Sequence, residues 1–183
     1  MDAIDLLTTR RSSKQLQAPA PDAAQLRLMV QAAMQVPDHG LLLPYRFVVI
    51  RGDAALQRLA DTLHTAAQAM ALGEEGEKKA QRVAGMAPLV MGVVATPQVQ
   101  GAIPVWEQLL TAGCSVYAMQ LAAKAQGFDS VWLSGRWLES EALREGFACV
   151  PDEQIIALLM VGTAKSAVDG AKNTDVTNKV LYW

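Results

Sequence analysis

The chain has 183 residues, with 16 lysines and arginines against 18 aspartates and glutamates, for a formal net charge of −2. That length suits one domain, spanning 1–183, that buries about 70 % of the surface its unfolded chain exposes. The near-neutral balance lacks the one-sided positive charge of proteins that track phosphate backbones, so it argues against nucleic acid and makes any cation cluster a local feature.

Hydrophobic residues make up 51 % of the chain and aromatics only 5 %. The apolar mass is therefore Ala, Leu, Val and Met, which favours helices around a few buried strands. One monomer surface hides that much apolar material poorly, so a large subunit interface is expected. Two cysteines, Cys114 and Cys149, form no CxxC pair, and the N-terminus MDAIDLLTTRR has no secretory core. Both features fit a cytoplasmic protein with free thiols.

Asp2 is placed to cap a short helix over residues 3–9, with Ile4, Leu6 and Leu7 as its apolar side. The stretch TTRRSSKQ follows, putting three cations beside two serines. Arg10 and Arg11 can simply complement the negative end of that helix, or their guanidinium forks can grip an anion together with the serine hydroxyls. Spacing leaves both open. Asp22 is a good N-cap for a second helix, in which Leu26, Met29, Val30, Ala33 and Met34 recur at helical spacing. Pro37 ends that pattern, and Asp38-His39-Gly40 reads as a turn.

Phe47–Ile50 reads as a strand, and Gly52-Asp53 turns the chain into a helix bearing Leu56, Leu59, Ala60, Leu63, Ala67 and Met70. The charged stretch Glu74–Arg82 is expected to be a solvated lid or linker. Leu89–Ala95 is a second strand between prolines. Val105–Gln126 is the longest helical candidate and is apolar on most faces. Glu107, Gln108, Gln120, Lys124 and Gln126 interrupt it, so it is expected to be a central helix, buried in the monomer or between subunits, rather than a membrane span.

Gly127 should stop that helix, and Ser130–Leu133 should form a buried strand. Ser140 caps a short helix with Leu143 and Phe147, and Ile155–Gly162 is the clearest strand, covered on both faces. The tail is polar until Val180–Trp183, an ending that docks on something, the partner subunit being one candidate. The order α-α-β-α-β-α-β-α-β implies an α+β or α/β sandwich.

Several chemistries have no motif here. GxGxxG, a P-loop and GxSxG are absent, and the only histidines are His39 and His64, without ligand spacing to any cysteine. No metal is expected. Cys114 with His39 is a conceivable nucleophilic pair, but a helical cysteine among apolar neighbours is ordinarily core.

Four stretches together resemble the FMN-dependent nitroreductase family, in its compact bacterial NAD(P)H nitroreductase branch: AIDLLTTRRS, VPDHGLLLPYRF, WEQLLTAGCSVYAMQLAAKAQG and FDSVWLSG. The resemblance covers nearly the whole chain. It implies an α+β fold of nitroreductase type: a three-layer sandwich with a central mixed sheet flanked by helices. It also implies a homodimer with FMN at the subunit interface. The implied activity passes electrons from NAD(P)H through the flavin to nitroaromatic, quinone or similar electron-poor small molecules, with no obligatory catalytic side chain.

By the same resemblance Arg10, Arg11 and Ser12 hold the flavin phosphate and pyrimidine edge. Gln35 and His39 contact it from the other subunit, and Val131, Trp132 and Leu133 line it at a strand end. Leu121, Ala122, Ala123, Lys124, Ala125 and Gln126 match a nicotinamide-binding region, and Lys14 is a second-tier cation near flavin N1. The chain departs from its relatives at Leu41 and Leu43, where many have Asn and Gln, and at Leu133, where close relatives have Arg. Its tail lacks a phosphate-binding arginine, leaving Lys165 and Lys172 as substitutes. Alternatives are a non-catalytic flavin sensor, a flavin enzyme with another acceptor, and a helical interaction protein that only dimerises.

Overall fold

The structure is a computed structural model that describes residues 2–166, 175 and 177–183. Its elements in chain order are α1 (Ala3–Thr9), β1 (Leu16–Gln17), α2 (Ala23–Ala33), β2 (Tyr45–Arg51), α3 (Asp53–Ala69), α4 (Gly73–Ala84), β3 (Leu89–Ala95), α5 (Val105–Ala125), β4 (Asp129–Leu133), α6 (Glu141–Gly146) and β5 (Gln154–Ala164). The caps expected from sequence are present. Asp2 accepts from the Asp5 N–H, Asp22 and Gln25 form a reciprocal capping box, and Ser140 Oγ accepts from the Leu143 N–H. Gly127, at φ 87°, closes the run after α5 in the left-handed region that favours glycine.

β5 is the strand on which the sheet is built. It pairs with β3 (Leu89↔Val161 to Ala95↔Gln154), with β4 (Asp129↔Gly162 to Leu133↔Leu158) and with β1, while β2 extends the sheet from β3. These ladders are antiparallel, and a parallel contact enters through the isolated bridge between Ser12 and Ser130.

Period-two alternation divides the sheet's side chains between two cores. Val90, Val94, Leu158 and Met160 pack with Leu59 and Leu63 of α3, Val83 of α4 and Leu143 of α6. Leu89, Met91, Val93, Leu159 and Val161 pack on the other face with Met29 of α2 and Val116 and Met119 of α5. The result is the three-layer α+β sandwich that the resemblance implies.

One expectation is overturned. Glu74–Arg82 is neither linker nor loose lid but most of α4, whose Ala80, Val83 and Ala84 are buried. The stripe at i, i+3 and i+4 is made of small residues, and the charges around it belong to the solvent face, where Lys78 pairs with Glu74 one turn away. β1 was also not anticipated, because two residues carry no periodicity.

α5 is central on one side only. Thr111, Ala112, Ser115, Val116, Met119 and Ala123 are buried, whereas Trp106 and Leu110 are 61 % and 62 % exposed. Ile4 and Leu7 of α1 and Tyr117 of α5 are exposed large side chains as well, as are Val180, Leu181, Tyr182 and Trp183 in the tail. Among the described residues no helix is long and apolar enough to cross a membrane.

A polar clamp ties β2 to the segment before β5. Arg46 donates from Nε and Nη2 to the Glu153 carboxylate at 3.0 and 2.7 Å and from Nη2 to the Phe147 carbonyl at 2.9 Å. These bonds from Arg46 hold the Glu153 carboxyl below its ordinary pKa. A depressed folded pKa contributes stability that is whole above the unfolded value, about 4.3, and is lost as pH falls through the folded one. Glu153→Gln is therefore expected to cost about 2 kcal/mol near neutrality. Thermal melts of variant and wild type should converge only as pH falls below the depressed folded pKa of Glu153, where its carboxyl is neutral in both states.

Candidate functional site

Arg10 ends α1, and the chain leaves the helix directly into contact with β4. The Ser13 N–H donates to the Ser130 carbonyl at 3.1 Å, and Gln120 of α5 donates to Ser130 Oγ at 3.2 Å. This anchoring fixes the RRSS segment against the rim of the sheet, with Ser13 buried, Ser12 exposed and Arg11 half-buried.

The Arg10 guanidinium lies 5.8 Å over the Tyr117 ring of α5. Its Nε and Nη1 are buried and have no hydrogen-bond partner among the described residues. Leaving such donors unpaired costs about 1–3 kcal/mol, so the arrangement fits an anion that would complete it. A phosphate monoester has the oxygens and charge that a guanidinium fork matches. Tyr117 was read in the sequence only as part of an apolar helix. Its role as a platform for Arg10 shows once α1 and α5 are packed.

Lys14, two residues past Ser12, is exposed and lines a cleft of about 430 Å³ together with Leu133. Val131 is 4 % exposed and its side chain belongs to the core. The Trp132 indole donates to the Ile156 carbonyl at 3.3 Å, and the ring reaches towards Gly113 of α5. Arg10, Ser12, Lys14 and Leu133 are thus gathered around the start and end of β4.

Gln35 and His39 lie elsewhere on the same chain. Gln35 is exposed two residues beyond α2, and His39 opens a short 3₁₀ turn, His39–Leu41. His39 Nδ1 lies 2.8 Å from Glu107 Oε2 in the first turn of α5. Arg10 meets the same helix at Tyr117, ten residues or about 15 Å further along. Arg10 and His39 therefore meet α5 at separate stations.

The turn after His39 carries two strained leucines. Leu41 and Leu43 have φ of 53° and 46°, and both are exposed. The Asp38 carboxylate accepts from the Leu43 N–H at 2.6 Å and holds the turn. An Asn would tolerate this backbone region far better than a leucine, which loses roughly 1–2 kcal/mol there.

The stretch at the end of α5 is divided. Ala123 is wholly buried, Lys124 donates to Asp129 at 2.9 Å, and Gln126 donates to the Gln25 and Ala122 carbonyls. Leu121, Ala122 and Ala125 keep some surface. In the tail, Lys165 is exposed and its N–H donates to the Gln15 carbonyl, while Lys172 lies outside the described residues. Among the described residues no group of three or more His, Cys, Asp or Glu is placed to hold a metal.

A model described as the nitroreductase family matches residues 7–163. A Haemophilus influenzae protein named "Putative NAD(P)H nitroreductase" is 51 % identical over 165 residues, covering 89 % of each chain. An Escherichia coli protein of the same description is 39 % identical and covers 100 % of both. Among solved structures, a nitroreductase-like family protein from Bacillus cereus superposes with a TM-score of 0.86 at 20 % identity, over 100 % of this chain and 96 % of its own. An FMN-dependent nitroreductase from Clostridium difficile gives 0.73 at 19 % identity, over 98 % of each.

Proposed function

The chain belongs to the nitroreductase family, and on that premise we propose that it is an FMN-dependent oxidoreductase passing electrons from NAD(P)H to nitroaromatic, quinone or similar electron-poor acceptors. The observation that carries the flavin assignment to particular residues is the pair of buried, unpartnered nitrogens on Arg10. Bound there, FMN would supply the redox chemistry, two-electron reduction by NAD(P)H and reoxidation by the acceptor.

The chain's own residues bind and orient. Arg10, with Arg11 and Ser12, grips the phosphate, and the backbone of Val131–Leu133 lines the ring. Lys14 places positive charge in the adjoining cleft. Leu121–Gln126 is the nicotinamide region, with its direct contacts falling to Leu121, Ala122 and Ala125. No side chain needs to act as acid or base, so none is assigned a catalytic role.

The site takes residues from two copies of the chain. Gln35 and His39 reach the flavin held by the partner subunit, a reading supported by His39 meeting α5 about 15 Å along the helix from the Arg10 station. The exposed apolar residues of α1 and α5, Ile4, Leu7, Trp106 and Leu110, support a homodimer that covers them. Cys114 and Cys149 are unpaired, which supports a cytoplasmic location.

The test is equilibrium titration of flavin-free protein with FMN, read by quenching of flavin fluorescence alongside the sedimentation-derived mass. The expected result is one FMN per chain on a dimer. Failure to take up FMN would overturn the reading.

A further inference from the structure

Past β4 the chain passes through Ser134 and Gly135 into a short 3₁₀ turn, Arg136–Glu139, whose four side chains divide by depth. Trp137 and Leu138, the middle pair, are buried, and Arg136 and Glu139, the outer pair, are exposed. The turn is firmly held. The Leu138 N–H donates to the Gly135 carbonyl at 3.0 Å, and a Cβ built on Gly135 would overlap the Trp137 ring.

Arg136 and Glu139 line a cleft of about 640 Å³, to which Leu138, Ile155 and Ile156 contribute apolar surface. Arg144 lines it too, but its guanidinium is committed to the backbone. It donates to the carbonyls of Glu153, Val150 and Pro151 at 2.6, 2.9 and 3.4 Å. Arg136 has no hydrogen bond or ion pair among the described residues, and Glu139, three residues on, does not pair with it. Ser134 lines both this cleft and the 430 Å³ cleft beside Lys14 and Leu133, so the two meet at the end of β4.

We infer that this second cleft seats the electron acceptor, and that Arg136 selects acceptors carrying an aromatic carboxylate. The inference rests on the proposed flavin function and names its substrate class. A planar guanidinium matches a carboxylate with two parallel charge-assisted hydrogen bonds, each roughly twice as strong as a neutral one. The apolar lining takes the ring. Glu139 repels a carboxylate, which leaves the Arg136 side as the favourable place for it. Arg136 is a specificity-determining residue: it holds the substituent and takes no part in electron transfer.

The test uses FMN-loaded protein with NADPH or NADH as donor and two acceptors of similar shape, 4-nitrobenzoate and the neutral 4-nitrobenzamide. The quantity compared is the ratio of their kcat/KM values. Arg136→Gln should lower the ratio about tenfold, and Arg136→Lys by less, since an ammonium lacks the planar fork. Glu139→Gln should move it the other way, by about threefold. Arg51→Gln is the control, because Arg51 is exposed at the opposite end of the β2–β3 ladder from Gln154 and is absent from the cleft lining.

A second readout needs no turnover: binding of benzoate and benzamide to flavin-free protein, followed by saturation-transfer NMR. Wild type should prefer benzoate, and Arg136→Gln should lose that preference. Arg136 is exposed and unpartnered among the described residues, so its variants should melt with the wild type. An Arg136→Gln ratio equal to that of Arg51→Gln, in protein that reduces both acceptors, would overturn the inference while leaving the flavin function standing. A wild type that takes up no FMN would instead overturn the function and the acceptor role together.

Discussion

Replacing Arg10 by alanine is expected to weaken FMN binding by about 100-fold, the size of losing two charge-assisted hydrogen bonds, without lowering the melting temperature of the flavin-free protein. Ordinarily, deleting a half-buried arginine destabilises a fold. Here two of its nitrogens are already buried and unpartnered, so removing them relieves a desolvation cost of about 1–3 kcal/mol. That relief offsets the lost contact with the Tyr117 ring, worth about 0.5–1 kcal/mol.

A comparison with riboflavin, which lacks the phosphate, gives the result its specificity. Wild-type protein should prefer FMN over riboflavin strongly, and Arg10→Ala should lose most of that preference. Arg10→Lys should recover only part of it, because an ammonium cannot present a planar fork. An arginine that merely complemented the end of α1 would leave the preference unchanged.

The second large effect is on stability. Gly92 lies in the middle of β3, a strand buried along its whole length, and a Cβ built there would overlap the ring of Phe147. Gly92→Val is expected to cost about 3 kcal/mol or more by overpacking, a fall in melting temperature of roughly 6–12 °C for a chain of this size. The repair is equally specific. Phe147→Leu in the same chain should recover much of the loss, because the two positions compete for one volume and their effects should not add. Thermal melts of the two single variants and the double variant decide it.

Much of the fold was legible because its signals are local. The continuous apolar run from Ile155 to Gly162 reads most clearly as a strand covered on both faces, and it lies within β5, which pairs with β1, β3 and β4. Asp22 before α2 and Ser140 before α6 announce helix starts through side-chain chemistry that does not depend on the rest of the molecule. α4 was missed because its buried stripe is mostly alanine, so the hydrophobic signal is faint while the charges around it are conspicuous. β1 was missed because a two-residue strand is created by its partner, Thr163 and Ala164 of β5, rather than by its own sequence.

The candidate site divides along the same line. The RRSS cluster was conspicuous as residue types, but its meaning was not, since a helix-end charge and a phosphate grip use the same letters. The burial of Arg10 Nε and Nη1 without a partner and the Arg10 contact with Tyr117 depend on how α1 packs on α5, and the Lys79 contact with Trp137 depends on how α4 packs. Both are contacts between segments far apart in sequence, which periodicity and motif spacing cannot report. Val131 shows the converse. It was named as a flavin-lining residue, and its side chain turns out to fill the core.

The central claim is that this chain moves electrons from NAD(P)H to an acceptor through bound FMN. The most direct measurement is the visible spectrum of FMN-loaded protein under anaerobic conditions, first with NADPH or NADH added and then with a nitroaromatic or quinone. The account predicts that the oxidised-flavin absorption is lost on adding at least one of the two donors and returns on adding the acceptor. A protein that holds FMN and stays fully oxidised with both donors would contradict it, leaving a flavin-binding protein without reductase activity.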